Sequence, residues 1–474
     1  MIIGLNKFFK HLVILRIARF QNDYSRYEQA YFYSFLIAIL LCWSPSKLLA
    51  YLAPWLAIGI FLFVSRSQIS WLRLVVIAFL WLVVLLFHFL LTPGFMVHSA
   101  LLSFFTYGSF VFVLVVPTRR ITGEQLSDLL LFISRWVLLF QSCWGIAQGI
   151  VAGFGAGTFD GGVGDAVAGT IRPFGYSIDF SNPMFAVNIA VLLILIFPLV
   201  TRRRKGFPYF IYVVGVLALV MASVVHVILI FAAAVLISIT IFFPFVFIKK
   251  HGLTLVSIFL TLGFLIQLLI PNNIRSIQSF STSTLEGQTP RSQAVQRALY
   301  SMPSEYPWMP VFGLGSGQYS SRAGLIGTGM FFGGPFDPIP LPLLPTGMSE
   351  PFRIYVYDLW LSLYNEEGEV VGDNSSAVYK PFFSLLSVYV EGGAMAIVLI
   401  VGLVMRLIWR IYRHVSVSKK RLESASVSAG IIFFFLLGTQ ENYWEIPQAI
   451  FPGLMLLKCL YADLIYDKRD DFHA

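Results

Sequence analysis

The run Ile69–Leu91, ISWLRLVVIAFLWLVVLLFHFLL, is apolar along nearly its whole length. At a rise of about 1.5 Å per residue, an α-helix of this length covers the roughly 30 Å of hydrocarbon in a bilayer. Runs of the same kind recur on both sides of it. Of the whole chain, 57% is hydrophobic and only 12% charged, against the charged fraction of about 25% usual in soluble domains. These figures specify an all-α polytopic membrane protein.

About twelve spans can be placed. The first nine are Tyr31–Trp43, Leu49–Val64, Ile69–Leu91, Phe95–Val116, Leu126–Val151, Asn182–Val200, Phe207–Ala222, Val224–Ile248 and Leu253–Ile270. Phe382–Ile408, Val427–Leu437 and Ile446–Leu464 complete the set. The first is short and extends into the polar residues before it; the eleventh is short, and the division near Ser223 is slight. Between the ninth and tenth lies one long polar stretch, Asn272 to Tyr379. Irregular backbone is tolerated at a membrane only where protein covers it or water reaches it, so this loop is the first place to seek a site. The chain divides into an N-terminal segment (1–30), a membrane domain of nine helices (31–271), the loop (272–379), a second membrane portion (380–464) and a tail (465–474).

Met1 to Phe20 carries Lys7, Lys10, Arg16 and Arg19 among apolar residues, the pattern of a basic amphipathic helix lying in the interface. A cleaved signal peptide competes, but no small-residue cleavage site follows. Arg119, Arg120, the run Arg202 to Lys205, Lys249, Lys250 and the segment Arg406 to Arg421 fall on one side of the twelve spans. Cytoplasmic loops are enriched in Lys and Arg, so that side and both termini are expected in the cytoplasm. Asp160 to Phe180, Asn272 to Tyr379 and Thr439 to Glu445 then face the opposite way. The net charge of +9 reads as topology signal and contact with anionic lipid, not as a nucleic-acid surface.

An extracytoplasmic loop meets neither ATP nor sugar nucleotides. Gly313-Leu314-Gly315-Ser316-Gly317 also lacks the Lys-Ser/Thr that follows in a phosphate-binding loop. It reads as a tight turn in which glycine supplies positive φ, or as one that turns backbone N–H groups toward an anion. Cys42, Cys143 and Cys459 lie in or beside apolar segments, and His88, His98 and His226 belong to no metal-binding spacing. No metal and no cofactor is expected. The chemistry that remains is a set of arginines, Arg172 in the first large loop and Arg275, Arg291, Arg297, Arg322 and Arg353 in the long one. A guanidinium is permanently charged and presents a planar fork matched to phosphate oxygens, which suits a lipid-linked phosphate. Most such arginines are solvated or touch headgroups. Tyr306, Trp308, Tyr319, Tyr355 and Trp360 could stack on sugar faces or anchor at the interface, and ten carboxylates from Glu286 to Glu391 leave the general base unassigned.

Three segments carry a resemblance to the O-antigen polymerase and ligase superfamily of bacterial membrane glycosyltransferases. They are Arg172 to Ala186, Arg291 to Gly317, and Tyr379-Lys380-Pro381 followed by Phe382 to Gly393. The span count and the position of the long loop are similar too. The spacing from Arg291 to Gly313 is longer than usual, the pair Asn182-Pro183 is reversed, and the loop contains no histidine. That last departure points toward a Wzy-type repeat-unit polymerase and away from a ligase. The resemblance implies a GT-C-like fold in a bacterial inner membrane, with its site facing the periplasm. The implied substrates are oligosaccharides on undecaprenyl diphosphate, with Arg172, Arg291 and Lys380 stabilising charge on the leaving diphosphate. Arg297, Arg322, Arg353 and Tyr319 would bind substrate, and a chain-length regulator and a flippase of the same pathway are implied partners. The rival class is a transporter of lipid-linked sugars, which would show paired charges and interrupted helices within the membrane.

Overall fold

The computed structural model describes residues 25–121, 124–156, 166–174, 181–202, 207–243, 282–284, 286–333, 336–342, 344–365, 380–418 and 420–466. All regular structure among them is helical. The ninth expected span and the amphipathic N-terminal segment lie outside these residues, as does most of Asp160 to Phe180.

Helix α1 (Arg26–Cys42) opens on a capping box in which Ser25 and Glu28 satisfy each other's backbone N–H. It begins earlier than the apolar run, as its shortness required. Helices α2 (Lys47–Ser65) and α3 (Gln68–Leu91) are capped by Ser46 and Ser67. Between them Arg66 adopts φ 49°, which reverses the chain in two residues. The expected fourth span is two helices, α4 (Val97–Thr106) and α5 (Gly108–Val115), bent by 55°. The bend has a local cause: Trp55 Nε1 donates to the Phe105 carbonyl at 3.1 Å, and Gly108 leaves room for that indole, which a Cβ there would meet at 2.7 Å.

Helices α6 (Glu124–Ala156), α7 (Ser181–Arg202), α8 (Phe207–Met221) and α9 (Val225–Phe242) follow. Ser223, at φ 61°, marks the division between the last two. After the loop come α10 (Ser384–Ser418), α11 (Arg421–Leu437) and α12 (Pro447–Tyr466). Among the described residues seven helices are long and apolar enough to cross a membrane, or eight if the bent pair is one span. Helix α7 is buried nearly all round, whereas α3 and α10 expose most of their apolar surface. Such exposure suits hydrocarbon, where it carries no hydrophobic penalty.

The loop has a separate core, built on Ala294, Met302, Met309, Tyr319 and Phe352 and closed by Val390 of α10. It is anchored where α10 is broken. Gly393 adopts φ 70° inside that helix, and the glycine turn, with φ between 78° and 98° at Gly313, Gly315 and Gly317, packs into the gap. Leu314 N donates to Val390 O at 2.8 Å and Gly315 N to Glu391 O at 2.9 Å. The Glu391 carboxylate then accepts from Gly317 N at 2.7 Å and Tyr319 N at 3.0 Å. The turn does gather N–H groups on one acceptor, and the acceptor is the protein's own Glu391 side chain.

Both partners need glycine at the contact. A Cβ on Gly313 would overlap the Glu391 backbone, and one on Gly393 the Val311 carbonyl. We therefore expect Gly313→Ala and Gly393→Ala each to destabilise the fold by about 2 kcal/mol or more. Glu391→Ala, which strips two buried N–H groups at about 1–3 kcal/mol each, should exceed Glu391→Gln. Denaturation of the purified variants in detergent gives the order, and equal losses for Ala and Gln at position 391 would contradict it.

Candidate functional site

Polar loops converge at the end of the bundle where the glycine turn docks. The turn Gly438–Ile446 between α11 and α12 runs under the loop and is tied to it. Asn442 Nδ2 donates to Ser320 O at 2.6 Å, and at the start of α10 Ser384 Oγ donates to Glu441 O at 3.0 Å. On the far side His88 Nε2 lies 2.9 Å from Phe312 O, Thr92 Oγ1 donates to Leu314 O at 2.8 Å, and Gln318 pairs with the Met96 backbone. His88 and His98 thus serve loop carbonyls. No group of three metal-binding side chains occurs among the described residues.

Arg291 lies on the first turn of the short helix Pro290–Gln296, capped by Thr289. Its side chain is buried, stacks on Phe383 at 4.4 Å, and donates to the carbonyls of Thr439 and Gln440. Burial pulls its pKa down to about 10, against the opposing effects of Glu441 and Tyr443. It stays charged at neutral pH. Its geometry is that of a clamp holding the Gly438–Ile446 turn against the loop.

Arg322 starts the helix Arg322–Gly327, capped by Ser321. It is 7% exposed. Its backbone N–H donates to Glu445 Oε2 at 2.7 Å, and Ala323 N and Thr106 Oγ1 complete that carboxylate's shell. Burial pushes the Glu445 carboxyl up, and those donors with the Arg322 charge draw it back. The Arg322 guanidinium lies over Phe331 at 5.0 Å, and its Nε has no hydrogen-bond partner among the described residues. It lines a cavity of about 20 Å³ with Lys47, Tyr51, Met184, Phe331 and Gln448. Lys47 Nζ lies 5.6 Å from the same phenyl ring, and the Tyr51 hydroxyl is buried without a partner among the described residues. Two cations and two unsatisfied polar atoms therefore border one cavity. Such an arrangement suits an anion with several oxygens. In this conformation the cavity holds about one water, so a larger anion enters only when its lining, Phe331 included, rearranges.

The other expected residues are spread around this centre. Arg172 follows the short turn Gly169–Ile171, and its carbonyl accepts from Gln148 Nε2 at 2.7 Å. That turn reaches the site's end of the bundle, because Thr170 donates to Trp43 O and Gln448 Nε2 to Ser44 O. Lys380 is half-buried at the base of the loop, four residues before α10. Arg297 is committed to Asp358 through two bonds of 2.7 Å; with Asp358 57% exposed, such a pair adds at most about 1 kcal/mol. Arg353 is exposed. Tyr319 is wholly enclosed and donates to Ala294 O at 3.4 Å, so its ring packs the loop's core and offers no face to a sugar. Lys47, Tyr51, Glu445 and His226 were not singled out as site residues. The run Glu441-Asn442-Tyr443-Trp444-Glu445, polar between two apolar spans, was the available signal.

No protein-family model, no curated protein and no solved structure matches this chain.

If Arg291 is a clamp, removing it leaves two inward carbonyls unpaired, whereas lysine keeps the charge and one bond. The apparent melting midpoint should fall in the order wild type, Arg291→Lys, Arg291→Ala, the full loss being about 2 kcal/mol. An unchanged midpoint for Arg291→Ala would remove the clamp.

Proposed function

We propose that this protein is a metal-independent glycosyltransferase that joins oligosaccharide repeat units carried on undecaprenyl diphosphate, at the periplasmic face of a bacterial inner membrane. The reading includes twelve spans, a GT-C-like arrangement and cytoplasmic termini. The observation that carries it is the buried Arg322 guanidinium, bordering a cavity with Lys47 and Tyr51 at the end of a membrane bundle. The resemblance of Arg172 to Ala186 and Arg291 to Gly317 to the polymerase and ligase superfamily supports it independently.

In this reaction a hydroxyl oxygen of the acceptor sugar attacks the anomeric carbon of the donor. The bond from that carbon to the diphosphate oxygen breaks, its electron pair stays on the diphosphate, and the hydroxyl proton leaves to a base or to water. Negative charge develops on the leaving group. Arg322, fixed by its capped helix and by the Glu445 contact to its backbone, is placed to meet that charge without reorganising. Lys47 adds a second cation, and Arg291 holds the turn that forms one wall. Arg172 and Lys380 stand as outer contacts for the lipid-linked substrates.

The break of α10 at Gly393 and the bend between α4 and α5 are features that a transporter of lipid-linked sugars would share. In this chain the first break is filled by the glycine turn, which fixes it.

The test is elongation of undecaprenyl-diphosphate repeat units by purified protein in lipid. Arg322→Ala should lose about a hundredfold in rate, as removal of one preorganised donor costs roughly 3 kcal/mol. Arg322→Lys should recover only part of that loss, and both variants should keep the wild-type melting midpoint. Transfer to an acceptor other than a lipid-linked repeat unit, such as a lipid A-core, would make the protein a ligase, and movement of substrate across the bilayer without elongation would make it a flippase.

A further inference from the structure

His226 begins α9 beside Tyr443, with the two rings nearly parallel and Nε2 3.0 Å from the phenolic oxygen. Tyr443 is fully buried. Burial, reinforced by Glu441 and opposed by Arg322 and Arg291, pushes its phenol up, so it carries its proton. That buried proton needs an acceptor, and among the described residues only His226 Nε2 stands within hydrogen-bond distance. Leaving the proton undonated in such a place is costly. The imidazole nitrogens are coupled, because a lone pair at Nε2 puts the proton of the neutral ring on Nδ1.

Nδ1 makes no hydrogen bond to any described residue, and the side chain is half-buried, not enclosed. The Arg291 guanidinium lies within electrostatic reach of the ring, and the Glu441 carboxylate within reach of Tyr443 and Arg291. We infer that His226 is a recognition residue whose Nδ1–H, fixed as a donor by Tyr443, hydrogen-bonds an oxygen of the lipid-linked sugar diphosphate near Arg291. The inference rests on the function proposed above and deepens it. It also assigns His226 a role other than general base, because the lone pair a base needs is occupied by Tyr443.

Asparagine places an amide N–H near the position of Nδ1, and glutamine near that of Nε2. His226→Asn should therefore keep kcat/KM within about threefold of wild type, whereas His226→Gln and His226→Ala lose about tenfold. A direct readout needs no turnover. In full-length protein carrying isotope-labelled histidine in lipid, the His226 resonances, assigned by their absence in His226→Asn, should report a neutral ring protonated at Nδ1. Tyr443→Phe should abolish that preference. Inorganic diphosphate and the lipid-free repeat oligosaccharide, added separately, distinguish a phosphate oxygen from a sugar oxygen, and one of them should shift Nδ1. Protonation at Nε2, retention of activity by Gln with loss by Asn, or an Nδ1 signal indifferent to both probes would overturn the inference. A shifted Nδ1 without elongation would retain the recognition site and remove the polymerase, whereas elongation with an unresponsive Nδ1 would do the reverse.

Discussion

The carboxylate of Glu391, held by the N–H groups of Gly317 and Tyr319, is the contact on which the rest of this architecture depends. A polar group buried inside a membrane helix is expensive unless it is satisfied. Here a helix break exposes it sideways, and a loop turn meets it with backbone donors. One contact thereby fixes the break at Gly393, the path of the glycine turn and the position of the helix that carries Arg322. It acts together with the backbone bonds of Leu314 and Gly315 to α10 and the contacts of His88, Thr92 and Asn442 to loop carbonyls, which fix the register of the loop on the bundle.

From that anchor the site is assembled by backbone groups more than by side-chain pairs. Asn442 and Arg291 tie the Gly438–Ile446 turn to the loop through carbonyls, and Ser384 ties it to the start of α10. Glu445 is spent on the N–H groups at the start of the Arg322 helix. The result is a rigid frame in which Glu445 acts on Arg322 through its backbone N–H and its charge, while the guanidinium Nε has no hydrogen-bond partner among the described residues. A structural arginine is ordinarily paired, as Arg297 is with Asp358, so the contrast within one loop separates support from reactive potential.

The spans were legible because hydrocarbon imposes length and apolarity on each helix separately. Helices lie at eleven of the expected positions, and seven of them, or eight if the bent pair is one span, are long and apolar enough to cross a membrane among the described residues; the division near Ser223 is present too. The bend at Tyr107 was not legible, because it depends on the Trp55 indole from another helix. Site residues were harder for the same reason. The pattern of charge identified Arg291 and Arg322 but could not tell which would be consumed by carbonyls. Tyr319 has the composition of a sugar-stacking residue and the burial of a core residue, and only packing separates the two. Lys47 and Tyr51 sit at the start of an ordinary apolar helix, and their relevance comes from Phe331, nearly three hundred residues away.

The central claim is that the Arg322 cavity receives a diphosphate. The most direct measurement is an electron cryo-microscopy structure of the protein in a lipid nanodisc with undecaprenyl diphosphate. Phosphate density within hydrogen-bond distance of Arg322, with Phe331 rotated out of the cavity, is the result this account predicts. Diphosphate density at another place on the bundle, with Phe331 still between Lys47 and Arg322, would contradict it.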